Sequence, residues 1–136
     1  MAFCAARVKK ALMIAAGAAV LVIGGQGQAF ASSDLSITYN AGSSGFWTAD
    51  PYRDLTGDTV TACDSNADGW GVQAELDINP VPGTFSVDRI ASTRGHNSPY
   101  CDDASGDLKE DTPVDLRVCL VKGTEKKRTF PQYGSA

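Results

Sequence analysis

The chain has 136 residues, one histidine and a formal net charge of −4, which is enough chain for one small domain. An acidic surface repels nucleic acid and anionic membranes, so both are disfavoured as partners. One histidine and four cysteines are also too few, at these spacings, for a zinc site of the usual kind.

The N-terminus has the three parts of a secretory signal peptide. Cations at its start are followed by an apolar run over residues 11–25 and by small residues at Ala29 and Ala31, which form the site that a signal peptidase recognises. The apolar run is shorter than the roughly 20 residues that span a membrane. We therefore predict that residues 1–31 are cleaved and that residues 32–136 form a single secreted, extracellular domain.

Cleavage changes the charge of the protein. It removes three of the 12 Lys and Arg residues and none of the 16 Asp and Glu residues, so nine cations face 16 acids, a net charge of −7 on 105 residues. A domain this acidic is soluble and repels other copies of itself. We expect a monomer that binds neither nucleic acid nor, after cleavage, a membrane.

Short alternating runs predict β-strands along the mature chain, and no stretch of it has a helical period. Runs with a strand pattern, separated by turn residues, cover residues 34–40, 58–63, 72–78, 84–92 and 113–121. Most of residues 93–113 lack such a pattern and are predicted to form a long irregular loop. Short strands between turn signals indicate an all-β fold, a small antiparallel β-sandwich or barrel of about five to seven strands.

The run at residues 72–78 has the cleanest alternation in the chain. Its apolar residues face one way, and its polar residues Gln73, Glu75 and Asp77 are predicted to face solvent, as in a sheet with one wet face. The in-phase positions of all the runs predict a core that consists chiefly of Leu35, Ile37, Val60, Val72, Ala74, Leu76, Ile78, Phe85, Val87, Leu116, Val118 and Leu120.

Three cysteines remain after cleavage, and an oxidising compartment favours one disulfide among them. Loop-closure entropy does not choose the pair, since it contributes roughly 3 to 4 kcal/mol for each of the three pairings. We predict the bond Cys63–Cys101, because the irregular segment after Thr93 gains most from a covalent tie. Cys119 is predicted to be unpaired, since it lies opposite the apolar face of its strand.

One motif matches a metal site. Residues 64–75 fit the EF-hand calcium loop, in which the ligands would be the side chains of Asp64, Asn66, Asp68 and Glu75 and the carbonyl of Trp70. An EF-hand needs flanking helices, however, and the residues on both sides favour strands. The same letters describe a hairpin turn, because Asp, Asn and Gly tolerate left-handed backbone. We favour the turn, with no cofactor, and keep calcium as the alternative.

Enzyme motifs are missing from the sequence. The one histidine, His96, lies in a loop, and neither a Gly-x-Ser-x-Gly elbow nor a glycine-rich phosphate loop is present. Sixteen acids could supply a carboxylate pair for a small hydrolase, but no pair stands out. The sequence therefore predicts a protein that is not an enzyme, with a hydrolase as a further alternative.

Three short motifs carry a resemblance to a known group of proteins. They are the pattern Cys-Asp-x-x-Ala-Asp-Gly-x-x-Val at residues 63–72, the cysteine at position 101 and Leu-Arg-Val-Cys at residues 116–119. With them the chain resembles small secreted proteins of high-GC Gram-positive bacteria, which are largely without assigned function. In such proteins a further cysteine often follows the last motif, and residues 122–136 contain none. The resemblance implies no activity, so we predict a non-catalytic domain that binds an unknown extracellular partner.

Overall fold

The computed structural model describes residues 32–136, and the predicted signal peptide lies outside the described residues. These residues form two antiparallel sheets and no helix. The strands are β1 (Leu35–Asn40), β2 (Ser43–Thr48), β3 (Thr59–Asp64), β4 (Gly71–Ile78), β5 (Arg89–Ser92), β6 (Tyr100–Ser105), β7 (Pro113–Lys122), β8 (Glu125–Arg128) and β9 (Gln132–Ser135). Within this part of the chain there is no helix long and apolar enough to cross a membrane.

The two sheets pack face to face as a sandwich. One sheet has four strands in the order β1-β2-β3-β6, and the other has the order β5-β4-β7-β8, with β9 also pairing with β7. The sheets are not closed into a barrel, so the sandwich alternative of the predicted all-β fold is confirmed. Each sheet has an inner face against the core and an outer face that points away from it.

The core lies between the inner faces, where the alternation of the strands places their apolar side chains. Trp47 is completely buried there, and its indole nitrogen donates a hydrogen bond to the carbonyl of Ser135, 3.2 Å away. Gly45 precedes it by two residues in β2. A larger residue would not fit there, because a Cβ at that position would be 2.5 Å from Val118 Cγ2 of the other sheet. Much of the predicted set is buried there as well, namely Ile37, Val60, Val72, Ala74, Leu76, Leu116, Val118 and Leu120. Val114 belongs to the same core and was not in the predicted set.

Two members of the predicted core lie elsewhere. The predicted strand at residues 84–92 is regular only in β5, and the segment before it crosses the outer face of the five-stranded sheet. The backbone N–H of Ser86 donates to Asp77 Oδ2 at 2.8 Å, and this contact replaces ladder pairing. Consequently Phe85 is only half-buried and Val87 is 42% exposed, so both assignments to the core were wrong.

The strand count is nine, above the predicted five to seven, because β2, β6, β8 and β9 lie outside the runs that have a strand pattern. β2 begins in a Ser-Ser-Gly segment that the sequence indicates as a loop, and β6 lies inside the predicted irregular region. In β6 the alternate residues Cys101, Asp103 and Ser105 are exposed, and neither face of the strand carries large apolar residues. A strand at the edge of a sheet can be polar on both faces, so its period is hidden in the sequence.

The outer face of the five-stranded sheet is not the wet face that alternation predicts. Glu75 is completely buried, and Gln73 and Asp77 are 8% and 2% exposed. The irregular segment before β5 covers part of this face, since the ring of Phe85 lies on Arg117 beside Glu75. The prediction of solvent-facing polar residues in β4 was therefore wrong.

Candidate functional site

A groove on the outer face of the four-stranded sheet is lined mainly by apolar surface. Its floor includes Phe46 of β2 and Thr61 of β3, which are cross-strand neighbours. Ser36 of β1 borders it on one side, and Tyr52 and Leu55 of the β2–β3 connection form a wall over it. We call this surface the Phe46 groove. Its volume is about 600 Å3, within the range of roughly 300–1,000 Å3 that is usual for small-molecule sites.

The wall over the sheet is held in place by backbone hydrogen bonds. The N–H groups of Tyr52 and Leu55 each donate to the other residue's carbonyl, at 3.1 and 3.0 Å, which closes a two-residue turn. Arg53 in this turn has a φ of 53°, in the left-handed region. At the base of the connection the N–H of Asp58 donates to the carbonyl of Ala49 at 2.9 Å. The wall is thus a small, tied hairpin whose tip presents Tyr52, 58% exposed, to the groove.

The floor of the groove contains a polar group without a partner. Among the described residues, the hydroxyl of Thr61 is the only side-chain group that is buried and lacks a hydrogen bond. Thr61 is 9% exposed. Two residues earlier on the same face, the hydroxyl of Thr59 donates to the carbonyl of Thr56 at 2.6 Å. The unpaired hydroxyl is therefore a property of this position and not of threonine in this sheet.

The disulfide lies at one end of this same face. Cys63 and Cys101 are directly opposite each other in the β3–β6 ladder and are bonded, as predicted. Cys63 also lines the Phe46 groove. The bond ties the central strand β3 to the edge strand β6, so the irregular segment after Thr93 is anchored at its far end.

The five calcium candidates are not brought together as an EF-hand. Asp64 ends β3, and its oxygens accept hydrogen bonds from the N–H of Asn66 at 2.9 Å and from the hydroxyl of Ser98 at 3.0 Å. Asp68 Oδ1 accepts from the N–H of Trp70 at 2.9 Å, which forms an Asx turn. Glu75 lies in the middle of β4 with its carboxylate bound to cations. Glu75 therefore does not share a ligand shell with Asp64 in this structure.

Three of the other candidates, Asp64, Asn66 and Trp70, line a cleft of about 370 Å3 where the loops at one end of the sandwich meet. Trp70 lies in this cleft with the ammonium groups of Lys127 and Lys122 at 4.4 and 5.8 Å from its ring centroid. His96 is exposed, as the sequence predicts, and stacks on Tyr100 with ring centroids 3.9 Å apart. No group of three or more His, Cys, Asp or Glu residues in the described part of the chain is placed to hold a metal ion.

A buried ion cluster occupies the outer face of the other sheet. The carboxylate of Glu75 accepts hydrogen bonds from Arg117 at 2.5 and 3.0 Å and from Gln73 at 2.6 Å, and it also pairs with Lys126. Burial raises the pKa of Glu75, but the hydrogen bonds from Lys126, Arg117 and Gln73 outweigh it and lower the pKa below its usual value. The ring of Phe85 covers the guanidinium of Arg117 at 3.9 Å. Every member of this cluster is paired.

Cys119 lies next to this cluster as a free, fully buried thiol, which agrees with the prediction that it is unpaired. Burial, together with the negative charge of Glu75, raises its pKa to about 11. The residue is therefore a neutral thiol at physiological pH. Because the thiolate is the nucleophile, this environment does not activate Cys119 for catalysis.

One pair of carboxylates lies at directly opposed positions. Asp77 of β4 faces Asp115 of β7, and burial and the charge of Asp77 raise the pKa of Asp115. Asp77 is 2% exposed, and its Oδ2 accepts a hydrogen bond from the N–H of Ser86. The carboxylate of Asp77 is buried and already accepts a hydrogen bond from the backbone, so a substrate cannot contact it. This pair therefore fits a structural role better than that of a hydrolase.

Comparisons of the chain with protein-family models, with curated proteins and with solved structures found no match. The resemblance to small secreted bacterial proteins stays a prediction. The sequence analysis did not predict the Phe46 groove. The sequence does show a β-branched run at residues 58–63 and the aromatic pair Phe46 and Trp47, but neither pattern indicates a groove by itself. Only the position of the β2–β3 connection turns these residues into a site.

Proposed function

We propose that this protein is a non-catalytic, extracellular binding domain that holds a small, mostly apolar molecule in the Phe46 groove. The observation that carries the proposal is the groove itself, a concave and mainly apolar surface on the outside of an acidic domain. Sites for small molecules are typically concave and lined mostly by apolar and aromatic side chains. Aromatic side chains on both its floor and its wall suit a flat, apolar ligand.

Two further features support this proposal. The wall at Tyr52 and Leu55 is tied by its own backbone hydrogen bonds, so the shape of the groove does not depend on a ligand. A site that exists before binding loses less conformational entropy when it binds. The disulfide Cys63–Cys101 is compatible with an extracellular location, because such bonds persist in oxidising compartments.

The test is a titration with a neutral apolar dye, Nile red, whose fluorescence rises in an apolar environment. Ser36 is exposed and lines the groove, so Ser36→Trp fills the groove without disturbing the core. Thr38→Trp is the matched control, since Thr38 is exposed two residues later in β1 and does not line the groove. We expect binding by the wild type and the Thr38 variant and its loss in the Ser36 variant. Equal binding by all three proteins, or by none, would contradict the proposal.

A further inference from the structure

The cleft at the loop end of the sandwich is a second binding site, separate from the Phe46 groove, with which it shares no lining residue. Trp70, Arg94, Asn97 and Lys122 are among the residues that line it, and we call it the Trp70 cleft. We propose that it binds a small hydroxylated carboxylate, the chemistry of a uronic acid, through its cations and the ring of Trp70. This inference goes beyond the proposed function and does not depend on it.

Two cations line the Trp70 cleft without a carboxylate partner. The ion pairs among the described residues all involve Glu75, so Arg94 and Lys122 take part in none. Lys122 forms no ion pair even with Glu125, its cross-strand neighbour. A carboxylate that enters the cleft therefore finds two donors for charge-assisted hydrogen bonds, and no internal ion pair has to break first.

Contacts within the domain position these cations. Arg94 Nη1 donates to the carbonyl of Gly123 at 2.7 Å, which leaves the other N–H groups of the guanidinium for a ligand. Lys122 Nζ lies 5.8 Å from the ring centroid of Trp70, within the range of a cation–π contact. Lys127 of the neighbouring strand β8 lies 4.4 Å from the same ring and adds a third positive charge. Side chains that are already positioned lose less conformational entropy on binding.

The loops that form the cleft are also tied to each other. The hydroxyl of Ser98 lies 2.6 Å from the carbonyl oxygen of Asn66 and 3.0 Å from Asp64 Oδ2, so it connects the loop after β5 to the loop after β3. The N–H of His96 donates to the carbonyl of Thr93 at 3.0 Å and closes the turn between them. The shape of the cleft therefore does not depend on a ligand.

The accessible charge of the cleft is positive. Asp64 is the only acid among the described residues that line it, and it is 3% exposed with both oxygens already accepting hydrogen bonds. Asp68 is exposed on the neighbouring turn, where its Oδ1 accepts from the N–H of Trp70. Arg94 and Lys122 are both exposed and line the cleft. The cations are therefore the charges that a ligand in the cleft contacts.

Three observations restrict the ligand to a small, hydroxylated anion. Residues 32–136 carry nine of the 12 cations and all 16 acids, so the domain as a whole repels an extended polyanion. The cleft, at about 370 Å3, is near the lower end of the usual range for ligand sites. The exposed amide of Asn97 can donate to or accept from hydroxyl groups, and the half-buried Trp70 supplies apolar surface for the face of a sugar ring.

The experiment compares two probes that differ in one group, methyl β-D-glucuronide with a carboxylate and methyl β-D-glucoside with a hydroxymethyl group. The protein is expressed from the full chain with its disulfide formed, and binding is followed by chemical-shift titration. A hydrogen bond to a charged group corresponds to a factor of about 10 to 100 in affinity, so the wild type should prefer the glucuronide by that factor. Lys122→Gln should lose most of this preference, whereas Lys122→Arg should keep it.

Lys109→Gln is the matched control, because Lys109 is an exposed lysine that does not line the cleft. We expect this variant to keep the preference. Equal affinity of the wild type for the two sugars, no binding of either, or the same loss in Lys109→Gln as in Lys122→Gln would overturn the proposal. Acetate tests the sugar part. If acetate bound as tightly as the glucuronide, the cleft would be a site for simple anions, and the assignment of a hydroxylated ligand would be wrong.

Discussion

The outer faces of the two sheets bury polar groups in opposite ways. On the five-stranded sheet, Glu75 is completely buried, yet its two oxygens have three side-chain partners. On the four-stranded sheet, Thr61 is nearly as buried, and its hydroxyl has none. Phe85 covers Arg117 on the first face, which we call the closed face. The second face contains the Phe46 groove, and we call it the open face.

The difference lies in how each face treats the polar groups that it buries. Buried charges are tolerated only with partners, and the closed face supplies all of them from within the domain. On the open face, the hydroxyl of Thr61 has no hydrogen-bond partner among the described residues. Because one sheet satisfies even a buried carboxylate, the missing partner of a single hydroxyl is a local feature of the other sheet and not poor packing throughout.

The largest expected effect comes from breaking the closed face. Glu75→Ala removes the partner of two cations, Arg117 and Lys126, and leaves their charges partly buried. Loss of one member of a buried ion pair costs about 3–5 kcal/mol of unfolding free energy. Urea unfolding measures it. Glu125→Ala is the control, since it removes the same charge from an exposed position in β8 and should change stability by less than about 0.5 kcal/mol. A loss below about 1 kcal/mol for Glu75→Ala would mean that the cluster is not essential.

The closed face also predicts a dependence of stability on pH. The pKa of Glu75 is below its ordinary value of 4.5 in the folded state, so the unfolded state takes up its proton first as the pH falls. The stability that ionised Glu75 contributes is therefore fully present above pH 4.5 and is lost as the pH falls through the lower folded pKa. Asp115 acts in the opposite direction, because its pKa is raised.

Unfolding free energies at a series of pH values from 7 to 3 test this prediction. Glu75→Gln keeps the size of the side chain and cannot titrate, so the part of the acid-induced loss that belongs to Glu75 should be absent in it. An identical pH profile for the wild type and Glu75→Gln would contradict the assignment. Asp115→Asn, compared in the same way, should make the loss on acidification steeper.

The sequence predicted the fold because alternation is visible wherever one face of a strand packs in the core. Val72, Leu76, Leu116 and Val118 are in phase and buried as expected. The disulfide could also be predicted, since the segment after Thr93 has few apolar residues to hold it. These features depend on local pattern and on the distribution of apolar residues, which the sequence displays directly.

The two outer faces could not be predicted, because irregular segments without a strand pattern cover them, together with side chains from neighbouring strands. Glu75 has the pattern of a solvent-facing residue, and only the positions of Phe85 and Lys126 bury it. Thr61 has the pattern of an ordinary β-branched strand residue. Its missing partner and its place in a groove depend on where the hairpin carrying Tyr52 and Leu55 folds.

A smaller effect distinguishes the two threonines of the open face. Thr61→Val replaces an unpaired buried hydroxyl by a methyl group of similar shape and should stabilise the unliganded protein by about 1 kcal/mol. Thr59→Val loses the hydrogen bond to the carbonyl of Thr56 and should destabilise it by about 1 kcal/mol. Urea midpoints of the two variants therefore move in opposite directions. Destabilisation by both substitutions to a similar extent would show that Thr61 has a partner in the unliganded protein.

The smallest expected effect is that of calcium, for which we predict no shift in melting temperature at several millimolar. Glu75 belongs to the closed face, where Lys126 and Arg117 hold its carboxylate, so it is not available to the loop at residues 64–70. Asp64 and Asp68 each already accept a hydrogen bond from a backbone N–H two residues later, as in ordinary turns.

Thermal melts in chelator and in calcium decide the matter, with magnesium as the control for ionic strength. Ligand binding to the folded state alone raises its stability by mass action, so a weak extracellular type of site, with a dissociation constant of about 10⁻⁴–10⁻³ M, would be visible. A shift specific to calcium and lost in Asp68→Ala would establish a metal site in the loop. If that shift persisted in Glu75→Gln, the site would not use Glu75, and the contrast between the closed and the open face would stand unchanged. If it disappeared there as well, Glu75 would have to leave its cations on binding, and the closed face would itself be a ligand-responsive part of the molecule.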